Sequence, residues 1–235
     1  MNSAGRGVRL SIIVPFFNEE ESVGWVLEEV RDLFPEAEII AVDDGSSDDT
    51  WQVLRGVDGI RCRRLHEHRG QSAALWVGLC AATREICVTM DGDGQNDPGS
   101  IGDLIEALGE ADVACGYRRH RRDSWSKKAG SRLANVVRRA VLGDGVRDTG
   151  CSLKAFPRAS VVYLVPFDGL HRFLPSFFRQ AGLSIAEVAV EHRARRFGES
   201  KYDNLGRGLR GIYDLIGMRW LIRRKILFPR IEVNE

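Results

Sequence analysis

Three short apolar runs each break off into acidic and small polar residues: LSIIVPFF into NEEE, EIIAV into DDGSSDD, and EICVTM into DGDGQNDP. Runs of this length, rich in β-branched residues and bounded by turn formers, read as buried parallel strands. The spacing predicts strands at Leu10 to Val14, Glu38 to Val42, Arg61 to Leu65, Glu85 to Met90 and Ala111 to Cys115. Between them the apolar period changes to that of a helix. Val23, Val26, Leu27 and Val30 share one face of a helix that Asn18 and Glu21 would open as a capping box. Further helices are predicted over Thr50 to Leu54, Ser72 to Ala82, and from the Asp97–Pro98 cap to about Leu108. Strands alternating with helices imply an α/β fold with right-handed crossovers and a mostly parallel sheet. In such sheets ligands bind beyond the carboxyl ends of the strands. PFFNEE, DDGSSDD and DGDGQNDP all fall at that edge.

The 235 residues suffice for one or two domains, and 43% hydrophobic with 29% charged residues excludes disorder and coiled coil. No run approaches the roughly 20 apolar residues that span a bilayer. The first apolar run meets Asn18 and three glutamates, so no cleaved leader is expected. Cys62, Cys80, Cys87, Cys115 and Cys151 show no CxxC spacing and mostly sit in apolar segments, as buried thiols of a reducing compartment do. Net charge is only +1 but unevenly spread. Residues 1–116 carry 9 basic and 22 acidic side chains, a net −13, and residues 117–235 carry 25 and 11, a net +14. The second half therefore suits an anionic partner, unless the two faces merely neutralise each other.

In DGDGQNDP, Asp91 and Asp93 follow a buried strand, and Gly92 and Gly94 let backbone and ligand approach closely. Two carboxylates and the Gln95 amide are hard oxygen donors suited to Mg²⁺ or Mn²⁺, with diphosphate oxygens and water completing the shell. An acidic turn that caps the next helix is the plainer alternative. Asp43 and Asp44 end another strand, where a carboxylate can accept from a base or ribose; capping alone accounts for Ser46 to Asp49. Glu19 divides between nucleotide binding and complementing a helix dipole. Neither GxGxxG after a strand nor GxxxxGK[ST] occurs, which argues against Rossmann dinucleotide contacts and P-loop chemistry.

With GYR at 116–118, SRLAN at 131–135, DTGCSLKAF at 148–156 and RRFGESKY at 195–202, these motifs resemble family 2 glycosyltransferases. The likeness is narrower toward the dolichyl-phosphate mannose synthase and bacterial polyprenyl-phosphate hexosyltransferase group, and it covers about residues 9–205. It implies a glycosyltransferase A-type nucleotide-diphospho-sugar transferase fold over 1–203; residues 204–235 read, from their own spacing, as a C-terminal amphipathic helix and tail. It further implies that Pro15, Phe17 and Glu19 hold the nucleoside with Val42, Asp43 or Asp44. Asp91, Gly92, Asp93 and Gln95 would hold metal and diphosphate, Arg195 and Lys201 would close over the diphosphate, and Arg118 and Arg132 would grip a lipid phosphate. Phe17 stands where the family often has tyrosine, and DTGCSLKAF lacks the glycine usual after its serine.

The implied reaction is inverting, metal-dependent transfer of a hexose from GDP-mannose or a UDP-sugar to dolichyl or undecaprenyl phosphate. A phosphate monoester has a second pKa near 6 and is largely dianionic at pH 7, so as an acceptor it needs placement more than a general base. None of His66, His68, His120, His171 and His192 sits in an acid–base constellation. Arg118, Arg119, Arg121, Arg122, Lys127, Lys128 and Arg132 crowd the stretch after the fifth strand, where an anionic acceptor would be met. Leu205, Leu209, Ile212, Leu215, Ile216, Trp220 and Ile226 recur at helical spacing among arginines, as in a helix lying in a membrane interface. Packing on the domain or on another subunit is the alternative. The expectation is a peripheral enzyme on the cytoplasmic side of the membrane, with a small membrane-protein partner as a further means of anchoring. A hydroxyl acceptor on a polysaccharide or glycolipid, and a non-enzymatic membrane scaffold, are the competing readings. Nucleic acid is not expected, since helix-turn-helix and zinc-finger spacings are missing.

Overall fold

The computed structural model describes residues 9–118, 137–194 and 204–224, with side chains of the last segment from residue 211 onward. Elements run β1 (Leu10–Phe16), α1 (Glu20–Leu33), β2 (Glu38–Asp43), α2 (Thr50–Arg55), β3 (Arg61–Arg64), α3 (Gln71–Ala81), β4 (Ile86–Thr89), a 3₁₀ turn (Pro98–Ser100) leading into α4 (Ile101–Ala107), and β5 (Val113–Arg118). Residues 137–142 are helical, here α5. Then come β6 (Lys154–Pro157), a 3₁₀ segment (Arg158–Tyr163), α6 (Leu170–Gln180), β7 (Ile185–Val190) and α7 (Asn204–Arg224).

The seven strands form one sheet in the order β3-β2-β1-β4-β6-β5-β7. β6 runs antiparallel to both neighbours, while the other pairings are parallel. The five expected strands are all present; β6 and β7 are additions to that expectation. Successive side chains of β1 go to opposite faces of the sheet, which is why its whole run is apolar. Ile12 and Val14 join a core with Val26 and Leu27 of α1 and Leu104 of α4. Ile13 joins the other, with Leu75 and Leu79 of α3 and Phe173 and Phe177 of α6. Chain order reverses between β1 and β4, and the crevice beyond their carboxyl ends is where a sheet of this kind takes a ligand.

One local expectation is overturned. Asn18 does not cap α1: it has a φ of +51°, and Glu19 occupies the cap position without a side-chain cap bond. The Asn18 amide is committed elsewhere, its Oδ1 accepting from Ser47 N at 2.9 Å while Asn18 N donates to Ser46 Oγ at 2.9 Å. Tertiary stitching between the β1 and β2 loops wins over the local cap. Asp97 does cap as expected, accepting from Gly99 N at 3.0 Å.

At the opposite edge of the sheet, Glu38 ties four segments together. Its carboxylate accepts from Ser11 Oγ, from Thr83 N at 2.8 Å and Thr83 Oγ1 at 2.9 Å, and from Arg61. Burial opposes its charge, but these hydrogen bonds outweigh burial and hold its pKa at about 2 against an ordinary 4.5. A lowered folded pKa gives stability that is complete above pH 4.5 and drains away as pH falls toward 2. Allowing for the solvent exposure of Arg61, E38Q should cost about 1–2 kcal/mol in urea unfolding at pH 7, with the gap to wild type narrowing below pH 4.5.

Candidate active site

A cleft of about 730 Å³ opens beyond the carboxyl ends of β1, β2, β4 and β5. Because β6 is antiparallel, its first residue, Lys154, reaches the same edge. Asp91 and Asp93 line the cleft floor together with Gly92 and Gln95. Asp91 N donates to Asn96 Oδ1 at 2.8 Å, and Asp93 Oδ1 accepts from Gln95 N at 3.1 Å, so the turn is closed by its own side chains. A Cβ on Gly92 would strike the Phe16 ring and come within 2.8 Å of the Pro15 carbonyl oxygen. Only glycine lets the two aspartates approach β1 so closely.

Burial, and next the charge of Asp93, push the Asp91 pKa up to about 6; a Ser152 hydrogen bond and the charges of Lys154 and Arg118 work the other way. Gln71 Nε2 also donates to Asp91 Oδ1 at 2.6 Å. The donor set is two carboxylates and a side-chain amide, all hard oxygens, and the two half-buried carboxylates repel each other. Asp91, Asp93 and Gln95 therefore fit a divalent cation such as Mg²⁺ or Mn²⁺, which would offset that repulsion.

Pro15, Phe17, Glu19 and Asp44 line the same cleft, at its β1–β2 end. Phe17 stacks on His68 with ring centroids 3.7 Å apart, and His68 Nδ1 lies 2.8 Å from Asp44 Oδ2. Asp44 Oδ1 accepts from Arg69 N at 2.9 Å, and burial raises the pKa of this carboxylate. Val42 and Asp43 stand apart from the cleft. Val42 is fully buried in the α3 side of the core. Asp43 spends its carboxylate on Ser46 N at 3.0 Å and Arg64 Nε at 3.0 Å, shaping the loop rather than facing the opening. Of these three neighbours, Asp44 is the one the fold brings to the cleft.

Arg118 lines the cleft at the end of β5 and is clasped by Asp148 through Nε at 2.8 Å and Nη2 at 2.9 Å. This two-pronged pair fixes the plane of the guanidinium. Arg132, Arg195 and Lys201 lie outside the described residues. The segment just before Arg195 is tied to the aspartate turn nonetheless: Arg193 N donates to the Gln95 carbonyl at 2.8 Å, and its guanidinium bonds Glu29 and Asp97, each at 2.8 Å.

Several cleft residues were not singled out as site residues from the sequence, although Ser152 and Lys154 lie within DTGCSLKAF. Lys154 is 1% exposed and donates to the Cys151 carbonyl. Ser152 donates to Asn96 Oδ1 at 2.7 Å. Gln71, His171 and Arg172 reach the cleft from the first turns of α3 and α6. A lysine inside the apolar stretch LKAF, and the polar HEHRGQ directly after the third strand, were the available signals. The cysteines are free as expected; Cys80, however, is exposed.

Gly92 yields a direct check. G92A should cost about 1–3 kcal/mol through overpacking against Phe16. Its urea unfolding midpoint should fall accordingly, whereas alanine at the open Gly102 should leave it unchanged.

The sequence profile described as glycosyl transferase family 2 matches residues 11–163. A dodecaprenyl-phosphate galacturonate synthase of Rhizobium johnstonii is 38% identical over 95% of this chain and 70% of its own length. An undecaprenyl-phosphate 4-deoxy-4-formamido-L-arabinose transferase of Proteus mirabilis is 32% identical over 88% of this chain and 67% of its own. Among solved structures, glucosyl-3-phosphoglycerate synthase of Mycobacterium tuberculosis, in complex with Mn²⁺, uridine-diphosphate-glucose and glycerol 3-phosphate, superposes with a TM-score of 0.72 at 25% identity, covering 92% of this chain and 81% of the other. With strand-end motifs, sheet order and sequence in agreement, the chain belongs to glycosyl transferase family 2 and is a glycosyltransferase.

Proposed function

We propose that this chain moves a hexose from a nucleoside diphosphate sugar, GDP-mannose or a UDP-sugar, onto polyprenyl phosphate at the cytoplasmic surface of a membrane, with inversion. The observation that carries this reading is the meeting, in one cleft, of the paired Asp91 and Asp93 with a rigidly held cation, Arg118. The polyprenyl-phosphate sugar transferases among its relatives support the acceptor.

In this reading Pro15, Phe17, Glu19 and Asp44 wall the nucleoside, and the Phe17–His68 stack supplies an apolar face for the base. Asp91, Asp93 and Gln95 hold Mg²⁺ or Mn²⁺ and, with Gly92, receive the diphosphate. The bound metal would supply neutralisation of the charge that gathers on the departing nucleoside diphosphate. Arg195 and Lys201 would add cations over the same group. Arg118 and Arg132 orient the acceptor phosphate, whose oxygen is already ionised and needs no proton removed before attack. Lys154 and Ser152, beneath the turn, keep Asp91 in place and in its charged form.

Transfer of label from a panel of GDP- and UDP-sugars into the organic phase should require both polyprenyl phosphate and metal, and should disappear with EDTA. D93N should lose at least a hundredfold in turnover while keeping its thermal transition. Labelled product on glycerol 3-phosphate or a sugar hydroxyl, with none on lipid phosphate, would move the reading to a hydroxyl acceptor, which the glucosyl-3-phosphoglycerate synthase likeness favours.

α7 supports the membrane side of the reading. Met218 is buried, and Leu215, Leu221 and Ile222 pack on the α3–α6 core, whereas Ile212, Tyr213, Ile216 and Trp220 are 61–79% exposed beside Arg219, Arg223 and Arg224. The stripe expected as one apolar face is thus divided, Leu215 inward and Ile212, Ile216 and Trp220 outward. No helix among the described residues is long and apolar enough to cross a membrane. Resting the exposed side on lipid headgroups buries its aromatics and brings the arginines to anionic lipid, at about 1 kcal/mol per basic residue. I216S/W220S should lower co-sedimentation with phosphatidylglycerol vesicles at least tenfold and leave Mn²⁺–UDP affinity unchanged.

A further inference from the structure

The described arginines and lysines lining the cleft are Arg69, Arg118, Lys154 and Arg172. Arg69 pairs with Glu67 at the surface, Arg118 is clasped by Asp148, and Lys154 is buried on the Cys151 carbonyl. Arg172 differs. Its ion pair with Asp214 of α7 spans 3.9 Å, the edge of what counts as a contact, and its side chain is 37% exposed.

Its orientation is nevertheless set. Arg172 Nε donates to His171 Nε2 at 3.2 Å, and His171 Nδ1 sits 2.7 Å from Ser72 Oγ. With Nε2 accepting, the imidazole is the neutral Nδ1–H form, donating to Ser72. Ser72 is buried in the first turn of α3 and also accepts from Gly169 N at 3.0 Å. Gln71, next to it, holds Asp91. A relay of packed polar groups therefore fixes the guanidinium at the α6–α7 wall, while among the described residues the carboxylate recorded against its Nη groups is that of Asp214, at 3.9 Å. Asp168, in the same turn, also lines the cleft, so the wall is not uniformly positive and an anion there has to be placed rather than merely attracted.

We propose that Arg172 is a substrate-binding residue that receives an oxyanion in place of Asp214. The anion is either the phosphate of the lipid acceptor or the carboxylate of a uronic-acid donor sugar; both present the planar or forked oxygens that a guanidinium takes in two-point contact. The inference rests on the glycosyltransferase reading and extends it to a residue outside its motifs. Asp214 is a weak competitor for the guanidinium, which the His171–Ser72 relay holds in place, and the substrate anion displaces it.

Binding is measured, so a failure of sugar transfer to lipid leaves the result interpretable. Farnesyl phosphate, and separately UDP-glucuronate against UDP-glucose with Mn²⁺, are titrated into the full-length wild type, R172Q, R172K and D214N. R172Q should weaken farnesyl phosphate at least tenfold if the anion is the acceptor's. If it is the donor's, R172Q should abolish a preference for UDP-glucuronate over UDP-glucose. In either case affinity for UDP alone is unchanged, R172K recovers part of the loss, and D214N binds the same anion as tightly as wild type or more so. That opposite response separates a ligand-binding arginine from a structural ion pair, whose two halves would fail together. Parallel losses in R172Q and D214N, a loss of UDP affinity in R172Q, unchanged affinities in R172Q, or a wild type that binds neither anion would each overturn the assignment.

Discussion

Two carboxylates held one residue apart at a buried strand end repel each other, and the surrounding structure is arranged to bear that cost. Asp91 sits against Lys154, Ser152, Gln71 and, at longer range, Arg118, which come from β6 and the turn before it, from α3 and from β5. Burial first, and then the neighbouring charge of Asp93, raise the pKa of Asp91 unless cations or donors oppose the effect. Here the opposition is partial, which leaves Asp91 raised and the pair suited to a divalent ion. The antiparallel β6 is the device that makes the partial compensation feasible, since a parallel strand in its place would deliver its first residue to the far edge of the sheet.

Around that corner the loops brace one another more than they brace the ligand. Ser22 Oγ lies 3.0 Å from the Gly92 carbonyl and 3.1 Å from Glu19 Oε2, so α1, the aspartate turn and Glu19 are fixed as a unit. Asn18, Ser46 and Ser47 tie the end of β1 to the loop after β2, and Arg193 clamps the end of β7 to Glu29 and Asp97. A site whose supporting side chains are already hydrogen-bonded gives up little entropy when substrate arrives. α7 joins the same logic from outside: Asp214 meets the cleft, while Ile216 and Trp220 face away from the domain. One helix thus has a polar contact with the site and an apolar surface open to solvent.

The first half of the fold was legible because each apolar run is short, β-branched and closed by acids, a pattern that both ends a strand and marks the ligand edge. The strands expected at Leu10 to Val14 and Glu38 to Val42, which run on to Phe16 and Asp43, needed nothing beyond their own residues. The second half was not legible in this way. β6 is four residues long and contains a lysine, and β7 alternates weakly around Glu187, so neither announces itself by period. Asn18 misled because its best local use, capping α1, competes with a partner 29 residues away. Val42 and Asp43, the last two residues of β2, are spent on the core and on bracing the loop, whereas Asp44, just past the strand end, lines the cleft.

By itself, then, the sequence determined the class of fold and the edge of the sheet at which the acidic turns gather, because periodicity and turn chemistry act over a few residues at a time. Which cations stand near those carboxylates was decided only by tertiary structure. Lys154 is far in sequence from the Asp91 it acts on, and Asp148 lies 30 positions from the Arg118 it clasps; the placement of Lys154 follows from one strand running against its neighbours. A buried lysine and a solvated one look alike in a sequence; they differ in what surrounds them, and the surroundings arise only when distant segments pack.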